Sequence, residues 1–253
     1  MFGAGILAGP VDGPIPRIRE YGDNGKRAES EQSAMAIETS ELCDRYEQLY
    51  PGAVTDALDD LGYGSRTLPS AINALSDEME VAGVAYPAHG YPDEQTDYDA
   101  NLRRFLRMLG DAPADSVAVY QTRDDEAAHL GELSTAALAA QGCRGAVVDG
   151  GVRDVHHILD QEFPVFTRYR TPADAPPRWH LAEWDVPVRI GDIEVRPGDV
   201  IVSDVDGVVC VPRAVREEVL LAAEETVKTE NEVRDAVTEG MDPVAAYEEY
   251  GEF

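Results

Sequence analysis

The chain has 253 residues, 43% of them hydrophobic, which is enough for one large or two small domains with a buried core. It carries 21 Lys and Arg against 49 Asp and Glu, a formal net charge of −28 at pH 7. Because a field of that sign repels polyanions, we expect neither nucleic acid nor an anionic membrane as a partner, and an anionic small molecule would need a local cation or metal to hold it.

The predicted elements begin after a poorly patterned start. Residues 1–34, rich in Gly, Pro and charge, predict an extended or loosely ordered arm, and residues 35–253 predict a single α/β domain. Residues 39–62 contain two short helical patterns broken at Pro51-Gly52. Strands and helices then alternate: strand 79–90, helix 100–113, strand 115–122, helix 131–142, strand 144–149, helix 152–161 and strand 163–169.

The hydrophobic period changes in the last third of the chain. Residues 186–212 predict short strands joined by Gly-Asp, Pro-Gly-Asp and Asp-Gly turns. Residues 214–240 predict a long acidic helix that closes the fold. Trp179 and Trp184 lie in the proline-rich link before these strands, where we expect packing or a subunit contact. The pattern indicates one α/β domain with a β-rich segment near its end.

The acidity points to a surface adapted to high salt. Lys26 and Lys228 are the only lysines, and the periodic apolar segments argue against disorder for most of the chain. We expect the protein to lose helical circular dichroism and oligomer size in dilute buffer, because salt no longer screens the repulsion between its carboxylates. Full retention of both without salt would contradict this prediction.

The three cysteines and the ends of the chain carry little chemistry. Cys43, Cys143 and Cys210 lack Cys-x-x-Cys spacing, so we expect buried thiols in a reducing cytoplasm rather than disulfides or a thiolate metal site. No apolar run approaches the roughly 18 residues of a transmembrane helix, and the first residues lack the basic start of a signal peptide. The expected location is therefore cytoplasmic.

The alternating segment predicts where chemistry could lie. If strands 115–122 and 144–149 are parallel, the helices that follow them begin at the same edge of the sheet, where open α/β sheets commonly bind ligands. Glu132, Arg153 and Asp154 would then converge. Helix starts also present N–H groups that suit carboxylates. We expect Gly150 and Gly151 to allow the sharp exit from the strand and to let a ligand approach the backbone.

These three side chains suit a particular chemistry. An arginine can hold a planar carboxylate through two hydrogen bonds, and two carboxylates with water can hold Mg²⁺. A cation beside a 2-oxo acid polarises its carbonyl and stabilises an enolate. The same residues also have a structural interpretation, as a helix cap, a helix-dipole partner and a surface ion pair. Spacing alone leaves both interpretations open.

A family resemblance adds to this interpretation. The sequence that carries it is GELSTAALAAQGCRGAVVDGGVRD, supported by GAVTDALDDLG, VAGVAYPA, FPVF and IEVRPGDVIVSDVDGVVCVP. It resembles the RraA-like family, named after regulator of ribonuclease activity A, over roughly residues 43–240. The resemblance implies a swivelling β/β/α fold: a β-rich core with flanking helices and a C-terminal helix. Its enzymatic members are 4-hydroxy-4-methyl-2-oxoglutarate/4-carboxy-4-hydroxy-2-oxoadipate aldolases.

The resemblance also implies roles for the site residues. Active aldolases of the family carry an acid, twenty intervening residues and then Arg-Asp, as Glu132 and Arg153-Asp154 do here. It implies that Asp154 binds Mg²⁺ (or Mn²⁺) directly and that Glu132 does so through water. Arg153 would bind the 2-oxo acid and stabilise the enolate, and the backbone amides of Gly131, Glu132 and Leu133 would hold its carboxylate. This chain departs from the bacterial aldolases, which carry Asp where it has Glu132.

Two functions follow from the resemblance. The first is a metal-dependent lyase that cleaves a 4-hydroxy-2-oxo acid to pyruvate and a second carbonyl product, with oxaloacetate decarboxylation as a related activity. The alternative is a non-catalytic regulator that binds a ribonuclease or helicase. The resemblance implies a homotrimer or hexamer with sites between subunits, to which a neighbour's Glu224, Glu225 or Glu230 could contribute. His156 and His157 are predicted bystanders, because adjacent residues do not share a helix face.

Overall fold

The computed structural model describes residues 37–251, so the predicted arm over residues 1–34 lies outside the described residues. The helices are α1 (Thr39–Tyr46), α2 (Pro51–Asp60), α3 (Tyr98–Gly110), α4 (Glu132–Ala140), α5 (Val155–Asp160), α6 (Arg216–Thr238) and α7 (Pro243–Tyr250). The strands are β1 (Asn73–Ala74), β2 (Val81–Pro92), β3 (Ser116–Gln121), β4 (Ala128–Leu130), β5 (Gly145–Val152), β6 (Val165–Arg170), β7 (Trp179–Trp184), β8 (Val188–Ile190), β9 (Ile193–Val195), β10 (Val200–Asp204) and β11 (Gly207–Val211).

A nine-stranded mixed sheet organises the described residues. Its order is β1-β6-β5-β3-β2-β10-β11, with β4 paired to β5 and β7 paired to β2, while β8 and β9 form a separate hairpin. The neighbours β2, β3, β5 and β6 run parallel, so their carboxyl ends lie at one edge. The predicted mixed α/β fold with a β-rich core is confirmed.

The sheet is covered on both faces, which explains its apolar sequence. All six residues of β3 are buried, as expected for a parallel strand that is covered on both faces. One hydrophobic cluster includes Leu109, Leu138 and Ile158, from α3, α4 and α5. A second cluster joins Leu42 of α1 and Leu58 of α2 to α6 and the β10–β11 pair. The helices that begin at the carboxyl edge of the sheet therefore belong to the first layer.

The structure contains four elements that the sequence patterns did not predict: β1, β4, β7 and α7. Strand β4 has three residues, too few to show alternation, and β7 follows a proline-rich link. Trp179 on β7 is buried and donates its indole N–H to the Thr122 carbonyl at 2.7 Å, so the prediction that it packs is correct. Helix α7 follows Asp242, whose carboxylate caps it, and begins with Pro243, a start signal that the sequence analysis overlooked.

The prediction for the double glycine was wrong. Gly150 and Gly151 lie inside β5 rather than at a sharp exit, and close packing is what requires them. A Cβ at Gly150 would lie 2.6 Å from the Thr122 hydroxyl oxygen, and one at Gly151 would lie 2.3 Å from the Tyr169 ring. The change of direction occurs at Asp154, which has a left-handed φ of 56°.

The cysteines are buried free thiols, as predicted. Burial raises the pKa of Cys43 to about 11 and that of Cys210 to about 12. Such thiols stay protonated and unreactive at neutral pH. No helix within residues 37–251 combines the length and apolar character needed to cross a membrane.

Candidate active site

A cavity of about 450 Å³ lies at the carboxyl edge of the parallel strands. Helix α3 forms one wall, the start of α4 forms another, and Asp174 to Trp179 contribute a third. Glu132, Arg153 and Asp154 all line it. The cavity thus occupies the position at which open α/β sheets commonly bind ligands.

Two parallel strand ends bring the predicted residues together. Strands β4 and β5 pair in parallel with Leu130 beside Val152, and the Arg153 N–H donates to the Leu130 carbonyl at 3.0 Å. Gly131 then leads into α4, while Arg153 and Asp154 lead into α5. The expected proximity of the two helix starts is therefore observed, although β4 rather than β3 immediately precedes α4.

The Asp154 carboxylate lies against the amino end of α4. Its Oδ2 is 3.4 Å from the Glu132 N–H nitrogen and 3.5 Å from Arg153 Nε. A Cβ at Gly131 would lie only 2.7 Å from the same Oδ2, so glycine is what permits this approach. Asp tolerates the left-handed backbone of this position better than most residues. The amino end of α4 and the Arg153 guanidinium both lie on the same side of this carboxylate.

The backbone around Glu132 is held from two sides. Its carbonyl accepts from the Thr135 hydroxyl at 2.8 Å and from the Gln161 amide at 3.3 Å. Within residues 37–251 the Glu132 carboxylate forms no ion pair, and its side chain is partly exposed on the cavity. Leu133 is 81% exposed at the rim, and its N–H belongs to the first turn, which has no intrahelical acceptors. The Gly131–Leu133 turn therefore faces the cavity as expected, but its Glu132 amide already contacts Asp154.

Asp174 is a site residue that the sequence analysis missed. Its Oδ1 lies 3.1 Å from Arg153 Nη1, so Arg153 lies between two carboxylates. The 173–175 segment is held along β4, because Ala128 donates to the Ala173 carbonyl at 2.7 Å and accepts from the Ala175 N–H at 3.2 Å. The signal available in the sequence was the position of Asp174 after β6, at the same sheet edge as Arg153.

The charged side chains around the cavity are mostly negative. Glu132, Asp154 and Asp174 against Arg153 leave an excess of two negative charges, which repels an anionic substrate. No group of three His, Cys, Asp or Glu within residues 37–251 is arranged to hold a metal ion. Mg²⁺ needs few protein ligands, because it keeps several waters. The donor set fits such an ion held by Asp154 and Glu132, with water or a neighbouring chain completing its shell.

The other predicted acids differ in their contacts. On α6, Glu224 forms a bidentate pair with Arg45 at 2.6 and 2.8 Å, and Glu225 pairs with Lys228 at 3.2 Å. Glu230 forms no ion pair with the described residues. Of the two predicted bystander histidines, His157 lines the cavity whereas His156 does not.

His129 is a buried group on the cavity that the sequence analysis also missed. It is 2% exposed, and its ring meets Trp179 edge-on with centroids 4.9 Å apart. Its Nε2 lies 3.2 Å from Asp124 Oδ2. Burial lowers the pKa of His129 to about 4, although Asp124 acts in the opposite direction. The ring is therefore neutral near pH 7.

This burial predicts an acid-sensitive fold. The folded-state pKa of His129, about 4, lies below the ordinary value of 6.5. Between pH 6.5 and pH 4 the unfolded chain therefore binds more protons than the folded chain. The free energy of unfolding falls as the pH drops through this range. The slope is at most about 1.4 kcal/mol per pH unit. We expect the free energy of unfolding, measured with urea at fixed salt, to differ less between pH 7 and pH 5 for His129→Gln than for the wild type. An equal pH effect in both proteins would contradict the prediction.

Comparison with known proteins agrees with the resemblance noted in the sequence. The model of the RraA-like family, Aldolase/RraA, matches residues 39–210. A Halalkalibacterium halodurans protein provisionally named 4-hydroxy-4-methyl-2-oxoglutarate aldolase is 30% identical over 77% of this chain and 87% of its own.

Two solved structures show the same fold. One, described as novel cellulases from microbes associated with the gut ecosystem, is 36% identical over 79% of this chain and 90% of its own, with a TM-score of 0.74. The other is Streptomyces coelicolor RraAS2, described as an unusual member of the RNase ES inhibitor RraA protein family. It is 26% identical over 78% of this chain and 97% of its own, with a TM-score of 0.68. From the family match and these similarities together, the chain belongs to the RraA-like, Aldolase/RraA, family.

Proposed function

We propose that this protein is a divalent-metal-dependent lyase that cleaves a 4-hydroxy-2-oxo acid to pyruvate and a second carbonyl product. The observation that carries the proposal is the placement of Arg153 and Asp154 against the amino end of α4 inside a cavity. The provisional name of the Halalkalibacterium relative supports the same reaction class. Decarboxylation of oxaloacetate is proposed as a related activity, because it passes through the same pyruvate enolate.

Arg153 binds and orients the substrate in this proposal. Asp174 lies 3.1 Å from its Nη1 and Asp154 lies 3.5 Å from its Nε, so two carboxylates restrain the guanidinium. Its remaining N–H groups are free to donate to the substrate carboxylate or the 2-oxo oxygen. The first-turn amides of α4 provide a second anion-binding element beside it.

The reaction needs a place for the electrons of the broken bond. The C4 hydroxyl loses its proton to water in the cavity, the C3–C4 bond breaks, and C4 becomes the carbonyl carbon of the second product. The electron pair delocalises over C3, C2 and the 2-oxo oxygen as pyruvate enolate, and protonation at C3 gives pyruvate. Arg153 stabilises the negative oxygen. A divalent cation held by Asp154 and, through water, by Glu132 would supply Lewis-acid stabilisation of that oxygen.

Lysine chemistry has no support at this cavity. A Schiff-base aldolase needs a desolvated amine beside the substrate. Lys228 lies on α6 and pairs with Glu225, and no lysine lines the cavity among the described residues. Metal-assisted enolate stabilisation is therefore the mechanism that the side chains favour.

The proposed function is tested by pyruvate release in high salt. The purified protein is incubated with oxaloacetate or 4-hydroxy-4-methyl-2-oxoglutarate and Mg²⁺ or Mn²⁺, with and without a chelator. We expect pyruvate formation that the chelator abolishes and added metal restores. Activity that survives the chelator would contradict the metal dependence. No turnover of any 2-oxo acid, together with tight binding to a ribonuclease, would favour the regulator instead.

We also propose a homotrimer or trimer-based hexamer with the sites between subunits. In that arrangement a neighbouring chain would supply another acid to the cation that Asp154 and Glu132 would hold. Glu230 is the best candidate of the three predicted acids, since Glu224 and Glu225 already form ion pairs within the chain. Sedimentation in high salt measures the assembly directly.

A further inference from the structure

We propose that Asp174 is a positioning residue: it keeps Arg153 aligned for the reaction and, through the same contact, weakens the binding of an anionic substrate. This inference rests on the proposed function and gives a role in it to a residue that the sequence spacing does not include. It depends on three observations: how Asp174 is anchored, which nitrogens of Arg153 are occupied, and which charges a substrate meets beside them.

The backbone of Asp174 is anchored to β4 and to its own segment. Ala128 forms a parallel β-bridge with Asp174 and donates to the Ala173 carbonyl at 2.7 Å. The Asp174 carbonyl accepts from the Arg178 guanidinium. Prolines, whose φ is fixed, occupy three of the positions in residues 171–178. A side chain as short as aspartate on such a backbone has little room to withdraw from the cavity, which it lines.

The Arg153 guanidinium is occupied at two of its three nitrogens. Asp174 Oδ1 lies 3.1 Å from Nη1, and Asp154 Oδ2 lies 3.5 Å from Nε. Within residues 37–251, Nη2 takes part in neither a hydrogen bond nor an ion pair. A long side chain loses rotamer freedom when it is held, and here two carboxylates restrain it before a substrate arrives. Nη2 is therefore the edge of the guanidinium that remains for the substrate.

The contact that aligns Arg153 also has an electrostatic cost. Asp174 adds a negative charge to a cavity that Glu132 and Asp154 already make negative. A substrate carboxylate on the Nη2 edge would lie across the guanidinium from Asp174, so the two anions repel each other. Water screens part of this repulsion, because the Asp174 side chain is 36% exposed. Weaker ground-state binding of this kind does not slow the reaction, whereas alignment of Arg153 speeds it.

These two effects predict a split between kcat and KM. Asp174→Asn removes the charge but keeps an oxygen that accepts from Nη1, so we expect KM for oxaloacetate to fall about 3-fold, the effect of one screened charge. Asp174→Ala also removes the acceptor and should lower kcat about 10-fold further than Asp174→Asn, because the guanidinium is no longer aligned. A KM that stays the same or rises in Asp174→Asn, with the protein folded, would overturn the inference.

Two ligands of similar shape isolate the electrostatic effect. Oxalate and oxamate both resemble the carboxylate and oxygen of pyruvate enolate, but oxalate carries two negative charges and oxamate one. Because Coulomb repulsion is proportional to ligand charge, Asp174→Asn should tighten oxamate binding about 3-fold and oxalate binding about 10-fold. Calorimetry with Mn²⁺ present measures both affinities. An equal change for the two ligands, or weaker binding of either, would overturn the electrostatic role of Asp174.

Asp44→Asn is the matched control. Asp44 Oδ1 lies 2.6 Å from Arg144 Nη2, outside the cavity lining. This variant loses the same charge and the same kind of ion pair, so it should leave kcat, KM and both ligand affinities unchanged. Mn²⁺ affinity without a ligand should stay close to the wild type in Asp174→Asn. A large loss of Mn²⁺ affinity there would place Asp174 in the metal shell and overturn its role on Arg153.

A separate measurement distinguishes failure of this inference from failure of the proposed function. Deuterium exchange into the methyl group of pyruvate, followed by NMR, reports enolate formation in the wild-type protein. Absence of exchange would contradict the proposed function. Exchange in the wild type, with kcat, KM and ligand affinities unchanged in Asp174→Asn, would leave the enolate chemistry standing and overturn only the role of Asp174.

Discussion

Replacing Asp154 by asparagine is expected to lower pyruvate formation by about 10²- to 10³-fold, because it weakens the hold on the cation that would stabilise the enolate, and losing one such stabilising interaction usually costs about that much. Asparagine tolerates the left-handed φ of 56° at this position, so the backbone should keep its conformation. What the substitution removes is the negative charge beside the amino end of α4. Steady-state kinetics with excess Mg²⁺ measure the effect.

Metal binding gives this prediction a second readout. We expect Mn²⁺ titration followed by calorimetry to show much weaker binding to Asp154→Asn than to the wild type. Its thermal unfolding midpoint should change little, because the Asp154 side chain is 40% exposed. Asp185→Asn is the control, since Asp185 shares the left-handed φ, at 55°, but does not line the cavity. Wild-type Mn²⁺ affinity in Asp154→Asn would exclude Asp154 as a metal ligand.

Replacing Gly131 by alanine is expected to lower kcat/KM by about 10²-fold with little change in stability. Its φ of −151° is available to alanine, so the backbone is not strained. The new Cβ would lie 2.7 Å from Asp154 Oδ2 and 3.1 Å from Arg153 Cγ. Both contacts involve side chains that can move at low cost, but they are the two groups that the reaction needs in place. Misplacement by about 1 Å is enough for a loss of this size.

Gly110→Ala is the matched control for this variant. A Cβ there would meet no atom within 4 Å, so activity and stability should both stay close to the wild type. Comparing kcat/KM and the urea midpoint for the two alanine variants separates a steric effect at the site from a general effect of losing glycine. An active Gly131→Ala enzyme would show that Asp154 and Arg153 do not need their observed positions.

Much of the fold was readable from local patterns. Strand-helix alternation was predicted from the buried runs of β3 and β5 and from the amphipathic pattern of α3. This works because the spacing of apolar residues along the chain differs between a strand and a helix and needs no knowledge of the tertiary structure. Boundaries were less accurate. Helix α5 begins at Val155 rather than Val152, since the last residues of β5 stay paired with β6.

Burial and long-range pairing could not be read in this way. His129 lies in a three-residue strand whose partner β5 is distant in sequence, and only that pairing places it against Trp179. The packing role of Gly150 depends on Thr122, 28 residues earlier. Such contacts are set by which segments lie side by side, and no local period encodes them.

The sequence by itself determined the family, the mixed α/β class and the spacing that brings Glu132 toward Arg153 and Asp154. These depend on short-range motifs and on parallel strands ending at one edge. Only the tertiary structure decided that Asp174 lies on the far side of Arg153 and that α3 lines the cavity, with Tyr98 and Asn101 beside its apolar residues. Both result from the packing of distant segments around one cavity, and both determine which charges a substrate meets.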